Sequence, residues 1–179
     1  MNIKIFFVLL FSVSVVSAQV GTTGLPFLKL GIGARTSAMG EVSVGSDIAA
    51  SITNPALLGE NMQSMLQFTH RAWTEETTVD FFGAKTSSER TSFALAINST
   101  TIPDFELRTE PGPSIGTFDV HYLSVGLLGA YRINDNVFAG LSGKILYEKL
   151  FIDDATGVTF DFGGDDKISN EITLTASIL

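Results

Sequence analysis

From about residue 63 onward, side chains alternate between apolar and polar in runs that are long for strands, and this constrains the chain more than any other feature. The clearest run begins at Tyr122. Leu123, Val125, Leu127, Tyr131 and Ile133 share one face with Gly129, while Ser124, Gly126, Ala130 and Arg132 share the other with the apolar Leu128. After Asn134-Asp135-Asn136, a tight turn, a second run puts Val137, Ala139, Leu141, Ile145 and Tyr147 on one face. Opposite them stand Gly140, Ser142, Lys144 and Glu148, with Phe138 and Leu146 as apolar exceptions. A period of two marks a strand with two unlike faces. Each run is about eleven residues, where an average strand has about five or six. Eleven residues is the length a tilted strand needs to cross a bilayer.

Weaker runs repeat the pattern. Leu66, Phe68 and His70 alternate with Gln67, Thr69 and Arg71, and Phe93, Leu95 and Ile97 with Ala94, Ala96 and Asn98. Val158, Phe160 and Phe162 alternate with Thr159 and Asp161, and Ile172, Leu174, Ala176 and Ile178 with Thr173, Thr175 and Ser177. The total is about seven or eight strands. A soluble antiparallel sheet also alternates. Composition favours the membrane: 45% hydrophobic residues, 17 Gly and 14 Phe accompany a net charge of -8, and mean hydropathy is +0.30. Past residue 20 no run of about 18 apolar residues supplies a transmembrane helix. A barrel with an apolar belt outside and a polar lumen inside gives this composition.

Residues 1–18 read as a signal peptide. Lys4 is the basic n-region, Ile5 to Val16 the apolar core, and Val16-Ser17-Ala18 the small-residue cleavage site, so the exported chain starts near Gln19. Without Lys4 there remain 10 basic and 19 acidic residues, a net charge of -9, which speaks against nucleic acid as a partner. The absence of cysteine excludes thiolate metal sites and cysteine nucleophiles.

Residues 19–62 are rich in small residues and lack alternation. Asp47 to Ile52 reads as a short helix capped by Ser46 or Asp47. Asn54 is held extended by Pro55, which opens a further helical turn through Ala56-Leu57-Leu58. Downstream, the Asn134 turn is short. The segment Ser99 to Thr117, with Pro103, Pro111 and Pro113, and residues 149–157, with Asp153 and Asp154, read as long polar loops on the other side. That asymmetry matches the two ends of an outer-membrane barrel. Thr173 to Leu179 is strand pattern without a terminal turn, so the expectation is an incomplete barrel.

Chemistry-bearing constellations are few. His70 and His121 stand in strand contexts without partners at metal-ligand spacing. Asp161-Phe162-Gly163 echoes the kinase magnesium motif without its accompanying motifs. Gly31-Ile32-Gly33 lacks the third dinucleotide glycine. Asn98-Ser99-Thr100 is a glycosylation sequon, without meaning in a bacterial host. Asp153-Asp154 and Asp165-Asp166 read as solvated loop charge rather than calcium ligands. No metal, cofactor or catalytic residue is expected, and the chain is read as a non-enzyme.

Several segments, taken in order, resemble one family. Phe27-Leu28-Lys29-Leu30-Gly31-Ile32-Gly33-Ala34-Arg35-Thr36-Ser37-Ala38-Met39-Gly40 is similar to the N-terminal signature of the PorV/PorQ-like outer-membrane proteins. Asn54-Pro55-Ala56-Leu57 resembles their Asn-Pro-Ala motif, shared with FadL-type transporters. Leu107-Arg108-Thr109-Glu110-Pro111, Gly143-Lys144-Ile145-Leu146-Tyr147-Glu148-Lys149 and Asp161-Phe162-Gly163 resemble later family segments. The likeness runs from about residue 21 to about residue 164 and lacks the family's second half. It implies an all-β, FadL-like transmembrane antiparallel barrel of about fourteen strands. Residues 19–62 are then a plug with short helices, and 63–179 the first half of the wall. The location implied is the outer membrane of a Gram-negative bacterium. The role implied is in type IX secretion, with lipid, the C-terminal domains of secreted cargo and other secretion-system components as partners.

Within the plug, Gly31, Gly33 and Gly40 mark close passage along a wall, or else a flexible linker. Arg35 is expected to pair with a lumen carboxylate, Asp161 or Glu148. Asn54 and Pro55 fix a bend. Trp73 belongs to an interfacial aromatic belt. The two other readings kept open are a transporter of hydrophobic small molecules and a soluble exported β-sandwich.

Overall fold

The computed structural model describes residues 31–40, 45, 47–108, 110–169 and 172–178. The signal-peptide reading, and the start of the plug segment through residue 30, lie outside the described residues. Seven strands form one sheet: β1 Met65–Ala72, β2 Thr78–Ser87, β3 Thr91–Leu107, β4 Gly116–Arg132, β5 Val137–Leu150, β6 Asp153–Lys167 and β7 Thr173–Ile178. Their spatial order is their sequence order and every neighbouring pair is antiparallel. The class is therefore all-β. β1 and β7 are edges, not paired with each other among the described residues, and as first and seventh strands of a meander they run in the same direction. A sandwich needs a second sheet, and the described residues form one.

Alternation translates directly into two faces. Leu66, Phe68, Phe93, Leu127, Leu141, Ile145, Val158, Phe160 and Phe162 point one way, each 57–77% exposed. Gln67 and Arg71 of β1 point the other way, as do Phe81, Lys85, Ala94, Ala96, Asn98, Ser124, Leu128, Ser142, Lys144 and Asp161. Those on β2 to β6 are buried.

What buries that inner face is the chain before β1. Helix α1 (Ala34–Ala38), helix α2 (Ile48–Ser51) and a 3-10 turn (Pro55–Gly59) precede the sheet. The 3-10 turn touches β3, β4, β5 and β6, and α2 touches β2 and β3. Strands stand about 4.8 Å apart, so one short segment reaching across β2 to β6 requires the sheet to curve around it. The core is the contact itself: Ile48, Ala49 and Leu58 pack on Phe81, Ala94, Ala96, Leu128 and Ala130. A second inward cluster, Val120, Tyr122 and Leu146 with Ile102 and Phe118, lies toward the other end.

Two expected long loops are corrected. Most of Ser99 to Thr117 is ladder: β3 extends to Leu107, β4 begins at Gly116, and Ile115 donates to the Leu107 carbonyl at 2.9 Å. Pro103, which lacks an N–H, sits where the register shifts between Ile102 and Phe105, so it removes no bond from a regular ladder. Residues 149–157 are likewise strand except for Phe151-Ile152, a two-residue hairpin connection between the paired Leu150 and Asp153. Phe151 takes the left-handed φ of 56° that such a turn demands. The strands thus outrun the eleven-residue apolar runs, and their distal ends carry an aromatic chain, Phe105–Phe118–Phe151, with ring centroids 5.3 and 5.2 Å apart.

Phe81 is fully buried at the centre of the larger cluster. Phe81→Ala is expected to lower stability by about 3–5 kcal/mol, whereas truncating the exposed Phe82 leaves urea unfolding in detergent within about 1 kcal/mol of the parent.

Candidate functional site: the seat of the inner segment

The sheet receives the inner segment in a notch made of missing side chains. Gly140 and Gly163 are cross-strand partners on β5 and β6. A Cβ on Gly140 would stand 2.3 Å from the Ala56 nitrogen and the Pro55 carbonyl carbon. One on Gly163 would stand 2.0 Å from Asn54 Oδ1. Such separations are impossible for real atoms, so only glycine permits this approach. Asn54 fills the notch and is 3% exposed. Its backbone is extended (φ -136°, ψ 97°), as a residue before proline requires. Its Oδ1 accepts from the Ala56 N–H at 3.1 Å, capping the 3-10 turn, and its Nδ2 donates to the Gly164 carbonyl at 3.3 Å. Pro55, fully buried, opens the turn where its missing N–H costs nothing.

Side chains of the sheet and of the segment itself close both of its ends. Asp47 Oδ1 accepts from Ala50 N–H at 2.7 Å, and Gln67 Oε1 on β1 accepts from Ile48 and Ala49 at 2.9 and 3.2 Å. The N-terminal amides of α2 are thereby satisfied. At its other end Lys144 Nζ donates to the Ile52 carbonyl at 2.7 Å. Lys85 Nζ donates to the Leu58 carbonyl at 2.6 Å and also to that of Asn61. A cation at a helical carbonyl end is favourable. Lys144 is neutralised in place by Asp161 at 2.6 Å, the two side chains being 9% and 2% exposed, and Asp161 also accepts from the Ser142 hydroxyl.

The segment around Gly31 to Gly40 docks on β1. Arg71 donates to the Gly31 carbonyl at 2.5 Å and to Ser37 Oγ at 2.6 Å, and its guanidinium lies 3.9 Å over the Trp73 ring. Gly33 precedes α1 as its N-cap, and its carbonyl accepts from Thr36 Oγ1 at 2.8 Å. Gly40, at φ 70°, ends α1 in the left-handed conformation that suits glycine. Gly31, Gly33, Gly40, Asn54 and Pro55 are all in or beside the inner segment, but only Asn54 and Pro55 enter the notch. Arg35 is exposed, and the ion-pair partner of Asp161 is Lys144. Lys85 and the packing roles of Gln67, Gly140 and Gly163 were not read from the sequence.

The outer face offers little chemistry. His70 Nδ1 lies 2.7 Å from Asp80 Oδ1, both exposed, and Ser99 follows Asp80 across the strands. The carboxylate stands in the middle of that row, so the histidine does not activate the serine. Among the described residues no three His, Asp or Glu side chains converge as a metal site.

No family model, curated protein or solved structure matches this chain. The seat therefore rests on its own geometry. Gly163→Ala is expected to displace Asn54 and cost about 1–3 kcal/mol, while Gly164→Ala, with open space at its Cβ, stays near neutral; chemical unfolding in detergent compares them. Lys144→Ala strands the buried Asp161 and is expected to cost about 3–5 kcal/mol.

Proposed function

We propose that this chain forms part of the wall of an outer-membrane β-barrel, with residues 19–62 as its plug, and that it serves protein secretion as a non-catalytic PorV/PorQ-like component. One observation carries the membrane reading: a largely apolar face lies uncovered on the sheet, with His70, Asp80 and Ser99 only at one edge of it, while Lys85, Asn98, Ser124, Ser142, Lys144 and Asp161 turn inward. Leu123 to Ile133 covers about 33 Å of strand at about 3.3 Å per residue. At a tilt of about 40° this is about 25 Å of height, the thickness of the apolar band of outer-membrane barrels. Tyr131 and Tyr147 face outward near its two limits, where aromatic girdles lie. The notch that receives Asn54-Pro55 supports the plug, since it gives the Asn-Pro-Ala resemblance a physical role. Lipid contacts the outer face. The secreted partners, cargo C-terminal domains and other secretion components follow from the resemblance alone.

A second reading, transport of hydrophobic small molecules, draws on the resemblance of Asn54-Pro55-Ala56 to the FadL-type motif and on a second inward apolar cluster, Val120, Tyr122 and Leu146. Loss of long-chain lipid uptake in a deletion strain, with surface attachment of secreted proteins intact, selects it over the first.

The membrane reading is tested by fractionation: the protein is expected in the detergent-extracted outer membrane, with migration that changes on heating. Leu127→Lys is expected to weaken folding into lipid vesicles by about 2–4 kcal/mol. Recovery of the parent in the aqueous fraction rejects the reading. Deleting the gene is expected to leave secreted proteins unattached to the surface, and normal attachment rejects the secretion role.

A further inference from the structure

On the outer face, β2, β3 and β4 leave a groove among otherwise protruding side chains. Ala84, Leu95 and Leu127 are cross-strand neighbours, and so are Thr86, Phe93 and Gly129. Phe93 and Leu127 stand up, 60% and 67% exposed, whereas Ala84 and Leu95 are half-buried. Phe93 leans toward β4, where Gly129 has no side chain: a Cβ there would lie 3.5 Å from the ring. The groove over Ala84 and Leu95 has a volume of about 420 Å³, within the range of clefts that hold small molecules. It stands level with Leu127 and Gly129, inside the apolar band.

The same strands end in charge. The Arg132 N–H donates to the Arg90 carbonyl at 2.8 Å, so the two residues stand level, next to Tyr131 at the limit of the band. With Glu89 and Asp135 they line a cleft of about 210 Å³ that Ile133 borders. Arg132 is paired with Asp135 at 2.5 Å. Glu89 and Arg90 are exposed and enter no ion pair among the described residues. From Phe93 to Arg90 is about 10 Å of chain at about 3.3 Å per residue. An apolar groove inside the band thus leads, at the limit of the band, to one guanidinium and one carboxylate that are not committed to each other.

We propose that this groove and cleft together seat one zwitterionic phospholipid, of the phosphatidylethanolamine class, in the leaflet on the side of the short turns. An acyl chain lies over Ala84 and Leu95 between Phe93 and Leu127, the phosphate faces Arg90 and the ammonium faces Glu89. The assignment rests on the membrane reading and goes beyond it by giving one lipid a fixed place. Inside a bilayer no hydrophobic force favours protein over lipid, so an acyl chain is retained by packing. A groove with raised walls supplies contacts on more sides than a protruding face does. The head group then decides the class. A guanidinium holds a phosphate through paired hydrogen bonds. The carboxylate beside it favours a lipid that also brings an ammonium over one that brings only negative charge.

The test reconstitutes the full chain in vesicles of equal parts phosphatidylethanolamine and phosphatidylglycerol, extracts it in mild detergent and weighs it by native mass spectrometry. One retained phospholipid is expected, with phosphatidylethanolamine preferred by about tenfold. Glu89→Gln is expected to remove the preference and keep a lipid. Arg90→Gln is expected to lower occupancy by both lipids several-fold. Ala84→Phe fills the groove from a position that faces lipid, and is expected to lower occupancy while heat-modified migration stays as in the parent. A parent that resides in the outer membrane yet retains no lipid, or retains both classes equally, overturns the inference and leaves the membrane reading standing. So does a preference that Glu89→Gln leaves unchanged, or an occupancy that Ala84→Phe and Arg90→Gln both leave unchanged. A parent found in the aqueous fraction overturns both.

Discussion

Where β5 and β6 lack side chains at Gly140 and Gly163, the backbone of Asn54-Pro55 comes closer to the wall than any Cβ allows. The remaining inner contacts depend on that approach. It sets the depth of the 3-10 turn, which lets Leu58 reach the cluster around Phe81 and places the Leu58 carbonyl in front of Lys85. It also fixes α2, whose end meets Lys144. Filling the notch by one methyl group would move all of these together, because close-packed interiors have little slack.

The two lysines illustrate how a sheet can hold the polar backbone of a segment packed on it. Helical turns of four and five residues leave most of their amides and carbonyls without internal partners. Gln67 and Asp47 serve the first amides of α2, and Lys144 and Lys85 serve the carbonyl ends. Buried charge is expensive by itself, and Asp161 offsets it at Lys144. A buried ion pair contributes little net stability compared with an apolar pair. Its use here is placement, since it points one ammonium at one carbonyl.

Alternation was legible from Leu123 to Tyr147 because most outward side chains are large and apolar and most inward ones small or polar, with Leu128, Phe138 and Leu146 as inward exceptions, and side-chain direction follows from the period alone. The extended backbone at Asn54 and the turn at Pro55 were legible because both are local, whereas the cap that Asn54 supplies was not read. Strand ends were not. Pro103, Asp153 and Asp154 carry loop propensity, yet the ladder continues on both sides of Pro103, and Asp153 and Asp154 are paired with Leu150 and Lys149. The five-residue α1 was missed because so short a helix has no usable periodicity. Gln67 and Lys85 were missed for another reason: each meets the inner segment only by folding, and Asn54 itself reaches Gly164 from 110 positions away.

The parity of the sheet constrains how it can become a ring. With seven antiparallel strands, the first and last point the same way, so joining them directly produces a parallel seam. A ring with antiparallel seams throughout takes an odd number of additional strands between β7 and β1. Two copies of this sheet arranged about a common axis meet β7 to β1 in parallel at both joints, and so cannot supply such a ring by themselves.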